Sequence, residues 1–293
     1  MQIRWSGDRL PRRLAQLCAH LVVALVALVG IGGATRVMEA GLACPDWPLC
    51  YGSLLPGGRM NMQVFLEWFH RLDAFVVGVA LLVLWAVSLW QRRSLPAWLP
   101  WLSSAALVLV ALQGALGALT VLALLPSAVV TAHLSVALAL VALLTAASQQ
   151  LLASPDPTAT RSRWIWFGLA AVSLVVVLGQ CLLGGAMATQ WASKSCLASG
   201  TGCQWLLAHR HLGSIAAVAV LTQAGAALAQ RLQGVVLGLS LAAGSLVLVQ
   251  IALGISTWSL QLTTPLLTVA HQIVAALLVA VLTAGLSREV AHG

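Results

Sequence analysis

The stretch Glu67-Trp68-Phe69-His70-Arg71 sets an acid, an imidazole and a guanidinium at helical spacing where an apolar span begins. His70 has three counterparts, His133, His209 and His271, each within the first turns of another apolar segment. Their spacing repeats: 139 residues separate His70 from His209 and 138 separate His133 from His271, and a His-Arg pair recurs as His70-Arg71 and His209-Arg210. The repeat reads as a duplicated four-helix unit with one histidine pair in each copy.

Composition sets the class. The chain has 293 residues, 60% of them hydrophobic and only 8% charged, and its mean hydropathy is +0.97. Such values lie outside the soluble globular range and supply several membrane spans. Taking roughly twenty apolar residues per span, we expect an all-α polytopic membrane protein with helices near 14–35, 70–90, 100–123, 127–152, 164–188, 206–229, 234–257 and 266–286. The eight helices fall into two pseudo-symmetric four-helix bundles, 1–158 and 159–293, divided at the proline-punctuated linker Ser154-Pro155-Asp156-Pro157-Thr158. The first apolar run follows Arg4, Arg9, Arg12 and Arg13 without a small-residue cleavage site, so it reads as a retained helix rather than a signal peptide. Tryptophans near span ends, among them Trp90, Trp98, Trp101 and Trp164, read as interfacial anchors.

The net charge of +8 comes from basic residues spread over the loops. That pattern sets topology rather than binding nucleic acid. Arg92, Arg93, Arg161, Arg163, Arg231 and Arg288 join the N-terminal arginines on one side, whereas Arg36, Arg59, Arg71, Lys194 and Arg210 lie on the other. The positive-inside rule therefore places both termini in the cytoplasm, and all four histidines towards the outer face.

Internal matches extend the repeat. Gly32-Gly33-Ala34 in the first span corresponds to Gly184-Gly185-Ala186 in the fifth, and Cys44 to Cys196, both at an offset of 152. Gln113-Gly114-Ala115-Leu116-Gly117 resembles Gln250-Ile251-Ala252-Leu253-Gly254. Four helices between copies preserve orientation, so the repeats are parallel. The glycines then serve close helix packing. By the expected spans the first outer loop, 36–69, is much longer than its counterpart, 189–205, which suggests that the first half handles something the second does not.

Two imidazoles facing across a bundle suit haem iron, because the porphyrin supplies the remaining nitrogens. Zinc normally takes more protein ligands, with cysteines or carboxylates among them. The competing reading is another metal or a structural role. Of His209 and His211 the repeat selects His209, while His20 and His292 lack repeat partners and read as structural. Glu67 has no equivalent in the second half, where Leu206 stands three residues before His209. An acid in one of two duplicated sites is a candidate for the difference between substrate and cofactor; its alternatives are a salt bridge to Arg71 or capping of the helix entrance. Arg71 and Arg210 are candidate partners for haem propionates. Cys44 with Cys50 and Cys196 with Cys203 lie in outer loops, where disulfides are permitted, as structural staples or, for the first pair, as a redox-active couple. Cys18 and Cys181, inside spans, read as packing residues.

Gly32-Gly33-Ala34-Thr35-Arg36, then Gly41-Leu42-Ala43-Cys44-Pro45-Asp46-Trp47-Pro48-Leu49-Cys50-Tyr51-Gly52, then Glu67 to Arg71, together resemble the bacterial haem A synthase family, and the likeness runs through nearly the whole chain. The resemblance implies an oxidoreductase that converts the C8 methyl of haem O to a formyl group, making haem A for cytochrome oxidase. It further implies that His209 and His271 hold a haem b cofactor, that His70 and His133 belong to the substrate haem site, that Glu67 is catalytic, and that Cys44 and Cys50 bear on activity or haem transfer. The implied location is the bacterial cytoplasmic membrane, and the implied partners are a haem O synthase and oxidase assembly factors, with homo-oligomerisation open. Competing readings are a bis-histidine membrane cytochrome, a thiol-quinone oxidoreductase and a non-enzymatic haem carrier.

Overall fold

The computed structural model describes residues 9–152, 164–188, 196, 198 and 203–290, with the side chains of 289 and 290 excepted. The linker 154–158, the boundary at 158, Arg4, Arg161, Arg163, Lys194 and His292 lie outside the described residues. The described chain is helical: α1 (Arg9–Val37), a short 3-10 turn (Gly57–Arg59), α2 (Met62–Trp90), α3 (Leu99–Leu122), α4 (Ser127–Leu152), α5 (Trp164–Ala188), α6 (Gln204–Ala229), α7 (Gly234–Ser259) and α8 (Pro265–Val290). All eight long helices are long and apolar enough to cross a membrane, and the protein is a multi-pass membrane protein.

The ends of these helices follow from local chemistry. Asn61 caps α2, its side chain accepting from the Val64 N–H at 2.9 Å. That cap starts α2 eight residues before the expected 70, so Glu67 and His70 lie inside the helix, and His70 is about 12 Å along it at 1.5 Å per residue. With α1 also running on to Val37, the loop between them narrows to 38–61. The α3–α4 and α7–α8 turns share one closure. Leu124 and Leu125 have φ of 59° and 61°, and Gln261 and Leu262 have 51° and 62°. The Leu125 N–H reaches Thr120 O at 2.7 Å and the Leu262 N–H reaches Thr257 O at 3.0 Å, the 6→1 bond of a Schellman end in both copies.

Helix packing carries the duplication into three dimensions. α1, α2, α3 and α4 close one ring of neighbours, and α5, α6, α7 and α8 close another; the rings meet through α1 on α8, α4 on α5, and α4 on α8. A two-fold operation exchanging α1 with α5 and α4 with α8 reproduces all three contacts, as in an isologous interface. Hydrogen bonds between repeat-equivalent residues mark the axis, because only residues near a two-fold axis meet their own copies. The Arg36 guanidinium, at the end of α1, donates to the Ala188 carbonyl 152 residues on. Arg288 Nε, at the far end of α8, donates to Gln149 Oε1 at 2.6 Å, 139 residues apart. The two contacts lie at opposite ends of the helices, so the axis runs along them and the repeats are parallel, as expected.

Buried Leu14, Leu21, Leu25, Leu138, Leu144, Val279 and Leu282 fill the centre between the rings. Outward positions such as Val108, Val175 and Ile255 are 65–68% exposed, which suits contact with lipid. Trp166 is fully buried and satisfies its indole N–H on Ser240 Oγ at 3.1 Å.

Candidate functional site

Each four-helix ring brings its two repeat histidines together. His70 of α2 faces His133 of α4 with ring centroids 6.5 Å apart and planes at 67°. His209 of α6 faces His271 of α8 at the same 6.5 Å and at 64°. Each ring also lies against a glycine of the helix before its own. A Cβ added to Gly32 would lie 3.3 Å from His70 Cε1, to Gly117 3.5 Å from His133 Cε1, to Gly184 3.0 Å from His209 Cε1, and to Gly254 3.1 Å from His271 Cε1. The expected packing role of these glycines is thus a specific one: they make room for imidazoles. The sequence carried the signal, since the four glycines fall in the repeated Gly-Gly-Ala and Gln-x-x-x-Gly stretches.

The spacing fits one iron per pair. Two metal–imidazole bonds of about 2.0–2.1 Å, with about 1.1 Å from each nitrogen to its ring centre, put the centroids roughly 6.2–6.4 Å apart. Nδ1 of His70, His133 and His271 is buried without a hydrogen-bond partner, so one nitrogen of each ring is left unsatisfied. Among the described residues no group of three or more His, Cys, Asp or Glu converges on a point. Two imidazoles alone form a donor set that a porphyrin, bringing four nitrogens, completes. His211 is exposed, and it is His209 whose ring faces His271, as the repeat expects. His20 is exposed and its Nδ1 lies 2.7 Å from Gln16 O within its own helix.

The acid exists at the first pair only. Glu67, 4% exposed, sits one turn before His70. Its Oε2 accepts the Cys44 N–H at 2.8 Å, and its Oε1 pairs with Arg71 Nη2 at 2.5 Å. Arg71 in turn donates to Asp46 O at 2.6 Å, to Leu49 O, and to Cys44 O at 3.4 Å. This ion pair clamps the Cys44–Cys50 loop onto the end of α2, and the disulfide, with a Cα–Cα distance of 4.8 Å, is buried against Val64 and Trp68. The salt bridge that the spacing allowed is therefore present, and it joins the acid to the loop. Asp46 organises the far side of the loop by accepting the N–H groups of Tyr51 at 2.6 Å and Gly52 at 2.7 Å. Those bonds, the Gly52 amide foremost, hold its carboxyl below the usual range. In the second half Cys196 and Cys203 are also bridged, but against Leu206 where the first half has Glu67. Arg210, the counterpart of Arg71, is exposed.

Two polar residues of the second site escaped the sequence reading. Gln180 Nε2 lies 3.0 Å from His209 Nδ1, and Gln250 Nε2 lies 3.3 Å from His271 Nε2. Gln250 stood in the repeated stretch and was legible there; Gln180 has no repeat partner, because Leu28 occupies the matching position.

Comparison with known proteins gives a consistent picture. The family model described as COX15-CtaA, cytochrome oxidase assembly protein, matches residues 13–283. A protein named heme A synthase from Shewanella oneidensis is 31% identical over 207 residues, covering 64% of this chain and 60% of that one, so here the chain matches less than two thirds of its relative. Proteins of the same name from Rhizorhabdus wittichii, 30% identical over 93% of this chain and 92% of the relative, and from Caulobacter vibrioides, 31% identical over 90% and 92%, match nearly end to end. With eight spanning helices, two like-spaced histidine pairs and a family match over almost its full length, the chain belongs to the COX15-CtaA family of cytochrome oxidase assembly proteins.

Proposed function

We propose that the chain is a haem A synthase, an oxidoreductase that converts the C8 methyl group of haem O to a formyl group. The observation that carries this reading is an asymmetry: the two histidine pairs share one spacing, and only the first has a buried carboxylate a turn away. In this reading residues 1–158 form the substrate unit, with haem O held by His70 and His133. Residues 159–293 form the cofactor unit, with haem b held by His209 and His271. Haem b supplies one-electron redox chemistry when bound. Arg210, exposed beside His209, is the cation placed to pair with a propionate, whereas both Nη groups of Arg71 are engaged in the loop clamp.

Oxidation of the methyl carbon would pass its electrons to an external acceptor and leave that carbon electron-poor; Glu67, one turn from His70, would stabilise the developing positive charge and take the proton of the water that adds to it. To accept that proton at Oε1 it must loosen from Arg71, so the clamp couples the acid to the disulfide loop above it. The Cys44–Cys50 bridge closes the loop that Glu67 and Arg71 tie to α2. The membrane is the bacterial cytoplasmic membrane, with the disulfide end outward and the termini in the cytoplasm. A haem O synthase supplies the substrate, and oxidase assembly factors receive the product.

The test is Glu67→Ala and Glu67→Gln, the second keeping an acceptor for the Cys44 N–H. Both variants are expected to retain the haem b spectrum and to form no haem A in a host supplied with haem O. Product at the wild-type level from Glu67→Gln rejects the catalytic role.

A further inference from the structure

Two seams between the four-helix rings are counterparts by the repeat: α1 against α8, and α5 against α4. In the second seam Gly185 lies against Leu134, and a Cβ added there would be 3.0 Å from the leucine Cδ2. In the first, the offsets of 152 and 138 residues put Gly33 against Gln272, whose Oε1 fills the space a Cβ on Gly33 would need. The change from leucine to glutamine is not isolated. Thr268, one turn from Gln272 towards the disulfide end, is matched by Val130, and Arg36, three residues beyond Gly33, is matched by Ala188. Three polar side chains thus collect in one seam, and all three counterparts are apolar.

Polar groups between membrane helices need partners, and this set is short of them. Gln272 Oε1 and Thr268 Oγ1 are buried with no hydrogen bond. Arg36 Nη1 donates to the carbonyl of Ala188, the last residue of α5, which positions the guanidinium without neutralising it. Among the described residues no carboxylate lies within ion-pair distance of Arg36, and Glu67, the buried acid of that end, is taken by Arg71.

The glycines place the cation. Gly32 makes room for the His70 ring, and Arg36 follows it by four residues, about 6 Å along the same face of α1. Arg36 therefore stands one turn beyond the first histidine pair, at the end where the loop clamp has already engaged Arg71. A guanidinium, a hydroxyl and an amide all have N–H or O–H groups to give, and a carboxylate accepts several such bonds at once.

We propose that Arg36, with Thr268 and Gln272, is the binding site for a propionate of the haem at the first pair. The inference rests on the haem-binding reading above and adds to it the residues that hold the acid edge of that haem, a role the sequence spacing had given to Arg71.

The test uses the full-length protein in detergent, prepared without haem and titrated with ferric protohaem or with its dimethyl ester, whose propionates carry no charge. Low-spin absorbance reads binding. His271→Ala leaves the first pair as the one two-histidine site, and His133→Ala leaves the second. In the His271→Ala background the free acid is expected to bind on the order of tenfold or more tighter than the ester. Arg36→Met is expected to remove that preference by weakening the acid and not the ester, and Arg36→Lys to keep most of it. Thr268→Val with Gln272→Leu, which copies the other seam, is expected to reduce it. A preference unchanged by Arg36→Met or by the seam variant, or acid and ester weakened alike, overturns the proposal. So does a loss of preference confined to the His133→Ala background, which assigns the carboxylate to the second haem. If neither background gives a low-spin spectrum with either porphyrin, the histidine pairs are not haem ligands and the functional reading itself fails.

Discussion

Replacing Arg71 by Met removes the cation from a buried pair whose side chains are 14% and 6% exposed. Glu67 then keeps its charge with one amide for company, and three carbonyls of the 44–50 loop lose their donor. Breaking a buried pair from one side costs roughly 3–5 kcal/mol. Since Arg71 keeps some contact with solvent, the lower end applies, about 3 kcal/mol. At about 1.4 kcal/mol per factor of ten, the loop should open on the order of a hundred times more often. Opening exposes the Cys44–Cys50 bridge, buried in the closed loop, so the rate of its reduction by a dilute water-soluble phosphine reads the opening equilibrium. Arg71→Met should be reduced about a hundredfold faster than wild type, by the figure just derived. Adding Glu67→Gln removes the stranded charge and should bring the rate part of the way back. A rate within threefold of wild type for Arg71→Met would refute the clamp, and a double variant reduced as fast as the single one would refute the charge argument.

Asp46 gives a pH dependence. Its folded-state carboxyl lies below the usual value, so it stabilises the loop above about pH 3.9 and loses that contribution as the pH falls through the lower folded value. The wild-type reduction rate, taken relative to Asp46→Asn, should be flat from pH 5 to 8 and rise only in stronger acid; a step between pH 5 and 8 that vanishes in Asp46→Asn would contradict this. At the second pair, Gly254→Val places carbon 3.1 Å from His271 Cε1 and must push the ring. Haem binding there should weaken by roughly 10- to 100-fold, whereas Gly78→Val, in open space on α2, should leave the haem content unchanged.

Membrane solvent makes a sequence legible in a particular way. With no water to satisfy backbone groups, every spanning segment must be a helix, so hydropathy gave eight spans, and duplication gave their grouping and the histidine pairing. The pairs appear in space as the 139- and 138-residue spacings required, because ligands at equal depths on adjacent helices of one bundle have little freedom to go elsewhere. The start of α2 was misplaced. Hydropathy locates lipid-facing residues, whereas a helix begins at its cap, and Asn61 stands nine residues before the expected 70.

By itself, then, the chain determined its class, its eight helices, its internal copy, the histidines and the unmatched acid, because apolar length and periodic spacing are local and additive. What the tertiary structure alone decided is what the polar groups touch beyond their own helix: Glu67 on the Cys44 amide, Arg71 on the Asp46 carbonyl, Arg36 on the Ala188 carbonyl, and Gln180 on His209. Those contacts join different helices or a helix and a loop. Their geometry depends on how whole helices approach and rotate about their axes, a property that hydrophobic patterning leaves free when nearly every face is apolar.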